Sequence, residues 1–185
     1  MFTASEKRKS NIAEYLLYMW QIEDLIRANG LDIDKIHENI ISRYKGLSEQ
    51  QLKQMKEWYE SLIDMMRSEN VQQSGYLQMN KNIILQLDEL NSRLIRDPKF
   101  AAYAAEYYHV LPYIVEVRAK AGENKSGEIE SCFNILYGIL LLRLQHKEIS
   151  KETLEAAGVI SKFLARLAAY FVKDEEGTLF QNDDK

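Results

Sequence analysis

SEQQLKQMKEWYESLIDMM, residues 48–66, decides the fold. Ser48 is followed three positions later by Gln51, the capping-box spacing in which hydroxyl and amide satisfy each other's orphan backbone N–H groups at a helix start. Leu52, Met55, Tyr59, Leu62, Ile63 and Met66 then recur at steps of three and four, the period of one helical face. A cap followed by such a stripe predicts a helix that buries one side and wets the other.

The same grammar runs outward in both directions. Ser5 is expected to cap a first helix reaching about Asn29, with Ile12, Tyr15, Leu16, Met19, Ile22 and Ile26 inside and Gly30 ending it in the left-handed conformation. Asp32 or Asp34 opens a short second helix that closes at Gly46. A fourth carries Tyr76, Met79, Ile83, Leu87, Leu90 and Leu94 up to Asp97-Pro98, a pair suited to starting the next. The fifth presents Phe100, Tyr103, Ala104, Tyr107, Leu111 and Ile114 and stops near Gly122, with a kink expected at Pro112. Ser126 and Ser150 are expected to cap a sixth helix to His146 and a seventh to Lys173. Residues 174–185 are acidic and weakly periodic, a tail expected to fray, with Leu179 and Phe180 its docking side chains. No β-branched alternation bounded by tight-turn dipeptides occurs. The expected architecture is an all-α bundle of about seven amphipathic helices without a sheet, residues 1–173 forming one domain.

Two helices differ from the rest. In the sixth, Ile129, Cys132, Phe133, Ile135, Leu136, Ile139, Leu140, Leu141, Leu142 and Leu144 cover most of the circumference. A helix apolar nearly all round belongs at a bundle centre or in an oligomer interface. The seventh is rich in small residues, Ala156, Ala157, Gly158, Ala165, Ala168 and Ala169, that permit close approach. These two are expected to pack tightly together or against a second subunit.

Composition narrows the function. A net charge of -4 argues against a nucleic-acid partner, whose phosphates need a basic face. Lys7, Arg8 and Lys9, bordered by Glu6, read as a solvated helix face. The single cysteine, Cys132, permits no intramolecular disulfide and sits on an apolar face as a small hydrophobe. No secretory signal is visible, because Glu14, Gln21, Glu23 and Asp24 interrupt the first apolar stretch. The most apolar run, Cys132 to Leu144, is shorter than the roughly 20 residues of a membrane span. A cytoplasmic protein with no membrane partner is expected.

Few residues suggest chemistry. Glu106 and His109 form a Glu-x-x-His step, which supplies two metal ligands in ferritin-like bundles, but the motif needs a second copy and further glutamates. Helical stepping turns the pair outward, so a metal-dependent enzyme is the third-ranked reading and no metal or other cofactor is expected. Eleven tyrosines allow a ring-lined cleft near Pro112, with Tyr107 and Tyr113 as lining and Arg118 orienting an anionic group. Three charges break the apolar stripes: Glu23, Arg118 and Arg143. A buried carboxylate needs a partner, so Glu23 is expected either to pair with Arg118 or Arg143 across the bundle, for register or to orient a ligand, or to pair locally with Arg27. Nucleophile-elbow, phosphate-loop and zinc-protease motifs are missing, and catalysis is not the leading reading.

The segment Glu6-Lys7-Arg8-Lys9, continuing through Asn11-Ile12-Ala13-Glu14-Tyr15-Leu16-Leu17-Tyr18-Met19-Trp20-Gln21 to Glu23-Asp24 and Ile26-Arg27, resembles an uncharacterised bacterial family of small helical proteins, a domain of unknown function. That resemblance implies an all-helical cytosolic protein and supplies no activity, cofactor or catalytic residue. The leading expectation is therefore a non-catalytic interaction protein working through protein–protein contact, as a homo-oligomer. The alternative is a small-molecule-binding bundle.

Overall fold

A computed structural model describes residues 1–121 and 126–181. Among the described residues the protein is all-α, with eight α-helices, two short 3-10 turns and no strand. The α-helices are α1 (Phe2–Ser10), α2 (Ile12–Ala28), α3 (Ile33–Asn39), α4 (Glu49–Ser68), α5 (Gln78–Arg96), α6 (Ala101–Ala121), α7 (Glu128–Leu144) and α8 (Lys151–Glu175). The 3-10 turns are Ile41–Arg43 and Pro98–Phe100.

The expected first helix is two. Helix α1 begins ahead of Ser5, whose N–H donates to the Met1 carbonyl at 3.0 Å, so Ser5 is not its cap. The break comes at Asn11, whose Oδ1 accepts from the N–H groups of Ala13 at 3.1 Å and Glu14 at 3.2 Å. An asparagine in that role starts a new helix although the apolar period runs on beneath it. Ser126 is not a cap either: α7 is preceded by Gly127 without a side-chain bond. The expected stop near Gly122 lies outside the described residues. Ser48 with Gln51, Asp97 and Ser150 do cap as their spacing predicts.

Four helices share one ending. After α2, Leu31 N–H reaches the Ile26 carbonyl and Gly30 N–H that of Arg27, the paired bonds of a Schellman motif. The same bonds close α4, α7 and α8, with Asn70, His146 and Gly177 in the left-handed position.

The chain divides into two compact units, residues 1–8 with 15–82 and residues 9–14 with the chain from 83 onward. In the first, α4 packs on α3 and the 3-10 turn after it, burying Ile36, Ile41, Tyr59, Leu62 and Met66. Trp20 is fully buried and stacks on Tyr76 with ring centroids 4.1 Å apart. Met79, expected inside, is exposed; Leu77 and Asn80 take the inner positions at the start of α5.

In the second unit α6, α7 and α8 pack pairwise around Tyr103, Ile114, Ile129, Phe133, Ile160, Phe163 and Leu167. Each such side chain contributes about 1.5–3 kcal/mol by leaving water. The Tyr103 hydroxyl donates to buried Asn91 at 2.7 Å, satisfying the one polar atom that its ring carries inward. Helix α6 runs unbroken through Pro112. Beyond the expected end of the last helix, α8 runs on to Glu175, Asp174 pairs with Arg93, Leu179 is buried, and the Phe180 and Phe100 rings meet edge to face while Arg93 lies over the Phe180 ring.

Candidate functional site

Glu23 is fully buried on α2. One carboxylate oxygen accepts the Leu77 N–H at 2.9 Å, and the other accepts the Asn80 amide at 2.7 Å. Leu77 stands where α5 begins, so a side chain from α2 caps a helix far along the sequence, and the positive end of the helix dipole favours its charge. Arg27, one turn on, approaches Glu23 at 3.7 Å. Its guanidinium also binds Asp24 at 2.7 Å and the carbonyls of Val71 and Gly75, holding the 71–75 loop against α2. Burial pushes the Glu23 pKa above its ordinary value, while the bonds from Leu77 and Asn80 and the charge of Arg27 pull the other way. Of the two pairings expected for Glu23 the local one, with Arg27, is what the structure contains; the pairing with Arg118 or Arg143 is corrected. The donor that decides this is the backbone N–H at a helix start, a feature that side-chain patterning does not reveal.

Arg118 has partners of its own in the second unit. Its Nε donates to Ser131 at 2.8 Å, it meets Glu128 at 3.4 Å, and it donates to the Ser126 carbonyl. It therefore ties the end of α6 to the start of α7. Burial raises the Tyr107 pKa, and Glu128 and Asp88 raise it further. Asp88 is itself raised by burial and then by Glu128. Tyr113 lies half-buried beside His109, rings 5.9 Å apart, and Arg143 is exposed in the last turn of α7. The residues expected to share one tyrosine-lined site are thus distributed over different surroundings.

The weak metal pair falls in a cleft. Glu106 and His109 of α6 face Val159, Lys162, Phe163 and Arg166 of α8 across an opening of about 420 Å³ floored by Val110 and Phe163. Glu106 is engaged by Arg166 at 2.7 Å, a contact that occupies the carboxylate with a cation of the chain's own. Among the described residues no three His, Cys, Asp or Glu side chains converge as a metal would require. Lys162 and Arg166, missed in the sequence, sit four apart on α8, and their spacing was the available signal.

Fold and sites together define an all-α protein with interior polar clusters built around helix ends. The chain belongs to the family described as Domain of unknown function (DUF4924), whose model matches residues 1–178. No curated protein and no solved structure matches it. Among the described residues no helix is long and apolar enough to cross a membrane.

Proposed function

We propose that this protein works through protein–protein contact, and first through contact with a second copy of itself along the outer side of α7 and α8. The supporting observation is the charge of α7. No charged residue occurs from Ser131 to Leu142, yet Leu136, Leu140, Leu141 and Leu142 remain half-exposed and Leu144 is 63% exposed. The solvent side of an ordinary surface helix carries charge. Loss of charge with retained leucine is the composition of an interface core.

Two mid-helix glycines add to this. A Cβ placed on Gly138 of α7 or on Gly158 of α8 meets nothing within 4 Å. Each glycine costs its helix about 1 kcal/mol relative to alanine, and no close contact within the chain requires it. A neutral surface that matches its own copy suits a two-fold dimer, and such interfaces cover about 800 Å² on each partner. The same reading makes the protein a non-catalytic one of the cytoplasm. Its one thiol, Cys132, is buried with a pKa pushed up to about 12, which suits packing rather than reaction.

Sedimentation equilibrium with light scattering over a range of concentrations tests the proposal. The expected result is a dimer mass that falls to 21.6 kDa in Leu144→Lys. Gly138→Ala is expected to weaken association while stabilising the helix. A mass of 21.6 kDa for the unmodified chain at every concentration overturns self-association.

A further inference from the structure

The cleft between α6 and α8 combines an apolar floor with a charged rim. Its floor is two nearly buried apolar side chains, Val110 and Phe163, each 2% exposed, with Val159 on one wall. Phe163 stacks on Tyr103 at 5.5 Å and meets the tilted ring of Tyr107 at 6.0 Å. The rim is polar and carries Lys162, Arg166, His109 and Glu106. Arg166 and Glu106 neutralise each other at 2.7 Å, which leaves the ammonium of Lys162 as the surplus charge at neutral pH. The rim is therefore net cationic in a chain whose total charge is -4.

We infer that this cleft binds a small amphipathic monoanion, an aryl- or alkyl-carboxylate whose apolar part lies on Phe163, Val110 and Val159 and whose carboxylate meets Lys162 and the outer N–H groups of Arg166. An apolar floor with a few convergent polar groups at one end is the general form of a small-molecule site, and 420 Å³ falls in the usual volume range. The charge arrangement sets the class. A dianion would have one cation short of pairing while Glu106 holds Arg166, and a neutral molecule would leave Lys162 unused. A cation would meet Lys162 in front of it. Guanidinium carries more donors than Glu106 consumes, so Arg166 accepts a second carboxylate without releasing the first.

The test uses the full chain. 4-Phenylbutyrate and its uncharged analogue 4-phenylbutan-1-ol are titrated into isotopically labelled protein and followed by NMR. Saturable shifts at Val110, Val159 and Phe163 are expected, with the carboxylate bound about tenfold more tightly than the alcohol, equivalent to about 1.4 kcal/mol. Lys162→Met, a substitution at an exposed position, is expected to remove that preference and leave the alcohol's affinity in place. Val159→Phe is expected to fill the cleft and abolish both. Failure of the carboxylate to saturate at millimolar concentration, equal binding of acid and alcohol, or shifts centred elsewhere each overturns the inference.

Discussion

Glu23 is legible as a misfit, a carboxylate on the apolar arc of Ile12, Leu16 and Met19, and illegible in its purpose. Its hydrogen-bond partners lie 54 and 57 positions away, and the nearer is a backbone N–H. Glu23→Ala leaves that N–H and the Asn80 amide buried without an acceptor, and it is expected to cost about 2–5 kcal/mol in urea denaturation. Glu23→Gln, which keeps an acceptor, is expected to cost less and to change the pH profile. Because the folded-state pKa is raised above the ordinary 4.5, the folded chain holds this proton more tightly than the unfolded one. The stabilisation is complete below that value and is lost as pH climbs through the raised one. The wild-type advantage over Glu23→Gln should therefore shrink from about pH 4.5 upward and then level; an advantage that grows with pH contradicts the assignment.

Helix starts and helix stops were unequally readable. Ser48, Asp97 and Ser150 announce themselves because a capping oxygen must come from a short side chain just ahead of the stripe. Asn11 did not, because the apolar spacing from α2 continues upstream past it and only its side-chain bonds reveal the break. Stops marked by glycine were legible at Gly30, whereas Asn70 and His146 enter the left-handed region with a Cβ to accommodate. His146, at a φ of 53°, closes α7 where glycine is the usual choice. His146→Gly is expected to raise stability by about 1 kcal/mol, seen as a higher thermal midpoint, since it removes the left-handed penalty and disturbs no core contact. An unchanged or lower midpoint would mean that the imidazole contributes more than its backbone strain costs.

For the molecule as a whole, the helical class was readable from periodicity, while the division into units was not, because the boundary after Asn82 falls inside α5. The cleft was hidden for a related reason: Val110 and Phe163 look like any other core residues until two helices are placed side by side. Helix α5 runs through the boundary after Asn82, with buried Asn80 on one side of it and buried Asn91 on the other. Both tryptophans lie in the first unit and Cys132 in the second, so indole emission and thiol labelling report the two separately. Their urea midpoints are expected to coincide, because melting either unit unravels a helix that the other needs. Separate midpoints would show two independently folding parts. The fold-back at Phe180 bears on how the gene is trimmed for expression. A stop codon placed after residue 173, where the amphipathic pattern fades, discards the anion that Arg93 grips and the ring that shields Phe100. Such a shortened product would offer a fresh sticky spot to its neighbours, and cloning boundaries are better set beyond Gln181.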